Sequence, residues 1–176
     1  MRHPSQGFTL IELLITIAIA ATLMAIAIPS FSDWLIKTRV KGAAEEIQST
    51  LSYARSESIK QNKETCLTIT DKNSSTWQLA ITANCSNSTI YRLISANEFN
   101  NAITLTIDNT SKIDKTRFTP RSQRPGFNNN DITVKTTQSM SIAGGNYQLR
   151  INLTPTGLIS ICSNGTSSIG GYVTCA

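Results

Sequence analysis

The chain has 176 residues, with 16 lysines and arginines against 11 acidic residues, a formal net charge of +5 and a hydrophobic share of 40%. Only one apolar run is long enough to cross a bilayer, which excludes a multi-pass membrane protein. The chain has a single histidine, His3, so the acid–base catalysis and metal binding that histidines usually provide have almost no residues to use. The sequence also has no glycine-rich phosphate loop and no close cysteine pairs. We therefore expect no enzyme, no catalytic residues, no metal site and no cofactor.

The chain opens with a short polar leader, residues 1–7, which is followed by an apolar run over residues 8–28. A helix of this length spans roughly 32 Å at ~1.5 Å per residue, close to the ~30 Å hydrocarbon core of a bilayer. In a secretory signal the small residue at the cleavage site follows the apolar region. Here Gly7 precedes it. Cleavage after Gly7 would therefore remove the leader and keep the hydrophobic segment.

Glu12 is the one charged residue between residues 8 and 28. A carboxylate in a membrane-spanning helix costs about 2.5–3.5 kcal/mol at the bilayer centre and less near the interface, so it needs a partner. Cleavage after Gly7 would create such a partner, the free α-amino group of Phe8. That amine could meet Glu12 of its own chain, one helical turn away, or Glu12 of a neighbouring subunit.

The run Gly7-Phe8-Thr9-Leu10-Ile11-Glu12, followed by an apolar helix, resembles the class III signal of type IV pilins and type II secretion pseudopilins. The resemblance implies cleavage after Gly7 by a prepilin peptidase, N-methylation of Phe8, and neutralisation of Glu12 by a neighbouring amino terminus. It also implies a single-pass subunit in the bacterial inner membrane with its head in the periplasm. From there the subunit would be extracted into an extracellular filament.

The helical pattern resumes after Pro29, and we predict an amphipathic helix over residues 29–62. Pro29 lies where pilins often carry a helix-bending proline. It is either a simple boundary between anchor and domain or a weak point at which the helix bends. The apolar stripe of this helix comprises Val40, Ala44, Ile47, Leu51 and Ala54. The residues that lie off the stripe are expected in solvent: Glu45, Glu46, Gln48 and Glu57.

Residues 63–176 are expected to form a β-rich head, because the hydrophobic period changes to two and Asn, Ser, Gly and Pro clusters separate the apolar runs. We predict an antiparallel sheet that packs on the helix stripe, hence the α+β class and a type IV pilin-like architecture. The predicted strands are Cys66–Thr70, Trp77–Thr82, Thr89–Ile94, Ile103–Ile107, Arg117–Thr119, Ile132–Thr137, Tyr147–Leu153 and Leu158–Cys162.

Four cysteines in an exported domain predict two disulfide bonds. Three pairings can be drawn, and sequence proximity favours Cys66 with Cys85 and Cys162 with Cys175. The second bond would tie down the C-terminal tail.

Three stretches give the head a resemblance to the FimT/FimU/GspH family of minor pilins and pseudopilins: residues 54–58, 117–121 and 153–157. The resemblance implies a minor subunit that joins other minor and major pilins near a filament tip and helps to start assembly. A type II secretion pseudopilin shares the same anchor, so that alternative stays open.

DNA is a further partner to consider, because some relatives that act in natural transformation bind it through a Gly-Arg-any-Arg motif after a proline. The matching stretch, residues 155–160, lacks both arginines, which counts against DNA binding there. A separate basic cluster could contact phosphates, or it could be a solvated loop or a subunit contact. It comprises Lys112, Lys115, Arg117, Arg121 and Arg124.

Overall fold

The computed structural model describes residues 8–83, 89–107, 113, 116–120, 123–124, 137–154 and 157–175. The chain forms two units, one that ends at Leu35 and one that begins at Ile36. A single long helix, α1 (Leu10–Gln61), supplies the described helical part of the first unit and the first element of the second. Pro29 lies inside α1, so the helix continues through it and does not end there.

In the described residues, the second unit contains two antiparallel sheets. The first has the strand order β3-β2-β1-β5-β6 and the second has the order β4-β7-β8-β9. A short 3-10 helix, Ala96–Phe99, follows β3. The strands are β1 (Thr65–Thr70), β2 (Gln78–Thr82), β3 (Ile90–Ser95), β4 (Thr104–Ile107), β5 (Arg117–Phe118), β6 (Gln123–Arg124), β7 (Gln138–Gly144), β8 (Tyr147–Leu153) and β9 (Ile159–Ser163).

The core of the second unit forms where one face of α1 packs against apolar side chains of both sheets. Along β7 and β8 every second residue is buried, as expected for sheets with one face inward. Trp77 is fully buried, and its indole N–H donates a hydrogen bond to the carbonyl of Ile103 at 3.1 Å. The indole N–H in this core is thus satisfied, as its burial requires.

Both edge strands of the second sheet are partly covered by other segments of the chain. Along β4, the backbone N–H of Asn73 donates to the carbonyl of Leu105 at 2.8 Å, and the N–H of Ile107 donates to the Asn73 side chain at 2.9 Å. At the end of β9, the N–H of Ser163 donates to the carbonyl of Val173 at 2.8 Å. Such coverage protects strand edges from unwanted pairing with other chains.

The α+β prediction is confirmed, and so is the predicted stripe, whose members are all fully buried. The predicted helix end at Asn62 agrees with the observed end at Gln61. Seven of the eight predicted strands coincide with observed strands to within one residue at each end. The eighth prediction, residues 132–137, lies outside the described residues except for Thr137, which is not in a strand.

Three expectations were wrong. The sequence analysis missed β7, whose small Ser and Gly residues weaken the strand signal although Met140 and Ile142 alternate correctly. Residues 123–124 form a short strand, although the basic segment around them was considered as a loop. Glu57 was expected in solvent but is buried, and its carboxylate is compensated there by a hydrogen bond from Gln61 and by the ammonium of Lys60 at 3.8 Å.

Candidate functional site at the amino-terminal helix

The candidate site begins where the apolar run enters α1. Thr9 precedes the first helical residue, and its hydroxyl accepts a hydrogen bond from the backbone N–H of Glu12 at 3.3 Å. The carbonyl of Thr9 accepts from the N–H of Leu13 at 3.1 Å. Thr9 is thus the N-cap, and it satisfies one of the backbone donors that a helix start leaves unpaired.

Glu12 lies in the first turn of α1 and is exposed. The first turn of a helix carries partial positive charge, which favours an acidic residue there. The pattern of Thr9 followed three residues later by Glu12 is the sequence signature of a capping box, and sequence analysis did not use it. The geometry therefore places the one carboxylate of the apolar segment at its amino-terminal end, four residues after the exposed Phe8.

Between Glu12 and Pro29 the surface of α1 is almost wholly apolar and exposed. Its most hydrophobic 18-residue window has a mean hydropathy of 2.5, and none of that window is buried among the residues that the structure describes. The hydroxyl groups of Thr16 and Thr22 donate to the carbonyls of Leu13 and Ile19, both at 2.8 Å. The helix thus satisfies these side-chain donors internally, as a helix in an apolar environment must. By length and composition, α1 is able to cross a membrane.

Pro29 lies one residue after the apolar run and has no backbone N–H, so the carbonyl four residues earlier lacks its usual donor. The carbonyl of Pro29 itself accepts a hydrogen bond from the Ser32 hydroxyl at 2.9 Å. Both interpretations of Pro29 stay predictions, because a continuous helix is compatible with a boundary between anchor and domain as well as with a bend. A local weak point in the helix is compatible with the lost hydrogen bond.

The other predicted site residues lie elsewhere or outside the described part of the chain. Gly7, Lys112, Lys115 and Arg121 lie outside it, and for Arg124 only the backbone is described, directly opposite Arg117 in the β5–β6 pair. The guanidinium of Arg117 lies 2.8 Å from the carboxylate of Glu64. This ion pair engages the one described side chain of the basic cluster. DNA binding by the cluster stays a prediction.

Cys162 and Cys175 form a disulfide bond with an S–S distance of 1.99 Å, which joins the end of β9 to the C-terminal segment. Cys66 is also disulfide-bonded. Its predicted partner, Cys85, lies outside the described residues. Among the described part of the chain, no cluster of His, Cys, Asp or Glu could hold a metal ion.

The C-terminal segment also contacts the helix through a side chain that sequence analysis missed. The Tyr172 hydroxyl donates a hydrogen bond to the carboxylate of Glu45 at 2.7 Å. Partial burial, this hydrogen bond and the negative charge of Glu45 raise the pKa of Tyr172 from 10.0 to about 12. No local pattern could have revealed this contact, because its residues are 127 positions apart.

Two protein-family models match the chain. The model described as "Type II transport protein GspH" matches residues 43–157, and the model described as "Prokaryotic N-terminal methylation motif" matches residues 2–28. The long helix, the β-rich head and the amino-terminal motif define a subunit of the pilin class. The chain belongs to the GspH family, and it is a type IV pilin or pseudopilin of the FimT/FimU/GspH type.

Solved structures and curated relatives agree with this assignment. Two crystal forms of the type IV minor pilin FimU from Pseudomonas aeruginosa share the fold, with TM-scores of 0.50 and 0.53 at 18% identity. They cover 75% and 77% of this chain, and 98% and 95% of the FimU chains.

A fimbrial protein of Pseudomonas aeruginosa is 43% identical over 67 residues, which is 38% of this chain and 43% of that protein. The type IV major fimbrial protein FimA of Dichelobacter nodosus is 48% identical over 40 residues, which is 23% of this chain and 25% of that protein. The chain thus spans less than half the length of these relatives.

Members of this family and fold are structural proteins, which confirms that the chain is not an enzyme. The apolar helix and the fimbrial relatives fit a membrane-anchored pilus component.

Proposed function

We propose that the protein is a minor pilin that joins other minor and major pilins at the tip of a type IV pilus and helps to start its assembly. The observation that carries this proposal is the exposed apolar surface of α1, with Glu12 at its amino-terminal end, in a chain of the GspH family. An apolar surface of this extent needs a cover, which is lipid before assembly and the helices of other pilins afterwards.

In this proposal, a prepilin peptidase in the inner membrane removes residues 1–7, and the new amino terminus at Phe8 is methylated. Phe8 lies two residues before α1 begins, and Glu12 lies in the first turn of α1. In the bundle of pilin helices, Glu12 pairs with the α-amino group of an adjacent subunit. A desolvated carboxylate is strongly destabilising without a counterion, so this pairing would set the axial register of the subunit.

The head, residues 63–176, is proposed to lie in the periplasm before assembly and outside the cell in the pilus. Its two proposed disulfide bonds, Cys66–Cys85 and Cys162–Cys175, suit these oxidising compartments. Both cysteines of the second bond lie in the part of the chain that the structure describes, and the bond is present there.

The experiment follows the subunit from the membrane to the pilus. We expect Glu12→Ala, and equally replacement of Gly7 by a bulky residue, to abolish recovery of the subunit in sheared pili, while Glu12→Asp keeps partial incorporation because it keeps the charge. Mass spectrometry of the wild-type subunit should show a mature chain that starts at methylated Phe8. Protease resistance of the head in membranes should be the same in all variants. Normal incorporation of Glu12→Ala would contradict the proposal.

A type II secretion pseudopilin is the second candidate, because the matching family model is described as a type II transport protein. It uses the same anchor and the same Glu12 pairing. Deleting the chain separates the two functions: loss of surface pili with normal protein secretion supports the minor pilin. Loss of secretion with normal pili would support the pseudopilin. Identification of the co-purifying minor subunits gives an independent answer.

A further inference from the structure

Two aromatic side chains near the end of the first unit stay exposed. The rings of Phe31 and Trp34 stack with their centroids 5.7 Å apart, and the residues are 62% and 56% exposed. They are three positions apart in α1 and therefore lie on one face of the helix. The second tryptophan of the chain, Trp77, is fully buried in the head. A stacked aromatic pair that contains an exposed tryptophan therefore indicates a surface that a lipid bilayer or another molecule covers.

The position of this pair along α1 matches the dimensions of a bilayer. Counted from Phe8 at ~1.5 Å per residue, Phe31 lies roughly 35 Å and Trp34 roughly 39 Å along the helix. The hydrocarbon core is ~30 Å thick, and the bilayer is ~40–45 Å thick with its headgroup layers. Residues 8–28 thus fill the hydrocarbon, and the pair falls in the headgroup layer beyond it. A tilt of ~20° shortens these projections by only a few ångströms.

The chemistry of the segment suits the same layer. Tryptophan combines a large apolar ring with an N–H donor, so it prefers the boundary between hydrocarbon and water. Ser30, Ser32 and Asp33 alternate with the aromatic residues, and the apolar run has already ended at Ile28. A segment of this composition is too polar for the hydrocarbon core and too aromatic for open water.

We propose that Phe31 and Trp34 form an interfacial anchor that binds the headgroup layer of the bilayer leaflet on the head side of the membrane. This inference rests on the membrane-anchored state in the proposed function and adds the residues and the lipid layer that fix the depth of the helix. With the pair held there, Glu12 lies roughly 33 Å away along the helix, near the opposite interface. Its carboxylate then avoids the bilayer centre, where its cost is largest.

The test measures the depth of Trp34 in the full-length mature chain, reconstituted in vesicles of phosphatidylethanolamine and phosphatidylglycerol. The Trp77→Phe variant leaves Trp34 as the one fluorescent tryptophan, and lipids brominated at different acyl positions quench it according to depth. We expect the strongest quenching from the bromine nearest the headgroup and little from the bromine nearest the bilayer centre. The matched control is Ile19→Trp with Trp34→Phe and Trp77→Phe, whose tryptophan lies mid-run and should show the opposite order.

Trp77→Phe could destabilise the head. In that case the tryptophan fluorescence of the wild type minus that of Trp34→Phe reports the depth of Trp34 in the same way. Strongest quenching of Trp34 by the deepest bromine would overturn the anchor. So would the absence of lipid quenching together with full quenching by aqueous acrylamide. Shielding of Trp34 from both the lipid bromine and acrylamide would show that a protein surface covers the pair. That result would also overturn the anchor.

The anchor and the proposed function can fail separately. Shallow quenching of Trp34 in a protein that never enters pili would keep the anchor and remove the minor-pilin function. The reverse result, incorporation that depends on Glu12 but no lipid contact at Trp34, would remove only the anchor. A further control is Ser32→Ala, which should leave the quenching profile of Trp34 unchanged.

Discussion

The two parts of α1 show how one continuous helix can serve two environments. Up to Trp34, its large apolar side chains are exposed, as illustrated by Leu14 at 54%. From Val40 onward, one stripe is fully buried against the sheets, as illustrated by Leu51 at 0%. The first part carries apolar surface on all sides and has no core of its own, whereas the second has one apolar face and supplies a wall of the head. The first part is therefore stabilised by whatever covers it, and the second by the chain itself.

The largest expected effect compares the same substitution in both parts. Leu51→Ala should lower the free energy of unfolding of the head by about 2–5 kcal/mol, because it leaves a cavity between α1 and the sheets. Leu14→Ala should leave that free energy unchanged, because Leu14 contacts no core. Denaturant unfolding of the full chain in detergent, followed by the near-ultraviolet signal of Trp77, measures both. Equal effects of the two substitutions would contradict the division into two parts.

A smaller effect is expected at the C-terminal segment of the head. Replacing both Cys162 and Cys175 by serine should lower the free energy of unfolding by about 3 kcal/mol, since the bond closes a loop with a sequence separation of 13. Hydrogen exchange should increase at the Ser163 and Cys175 amides, which bond across the covered edge of β9. Exchange in residues 10–35 should not change. Unchanged protection of the Ser163 amide from hydrogen exchange would mean that the C-terminal segment stays packed on β9 without the disulfide bond.

The smallest effect concerns the contact between Tyr172 and Glu45. The folded-state pKa of Tyr172 is about 12, above its ordinary 10.0. The contact therefore contributes fully below about pH 10, and its contribution is lost as the pH rises toward 12. We expect Tyr172→Phe to lower stability by less than about 1 kcal/mol at neutral pH, since the contact is solvent-accessible. The difference in the free energy of unfolding between the wild type and this variant should shrink between pH 10 and 12. A constant difference across that range would exclude the ionisation of Tyr172 as its source.

Sequence analysis predicted the amino-terminal features because their signals are local. An apolar run interrupted by Glu12 and preceded by Gly7 can be recognised without knowledge of any distant residue. Periodicity identified the buried stripe from Val40 to Ala54 in the same way, because side chains three and four apart share a helix face. The capping role of Thr9 was equally local and was missed only because its spacing to Glu12 was not considered.

The sequence by itself thus determined the class of the protein, the extent of its long helix and most of its strands, since these depend on neighbouring residues. Only the tertiary structure decided that the strands form two sheets and that Asn73 and Val173 cover two strand edges. It also decided that Glu57 is buried and that Tyr172 meets Glu45. These features join residues that are distant in the chain or depend on which side of the helix the sheets cover. Their energies arise from packing and hydrogen bonds that form only when the chain has folded.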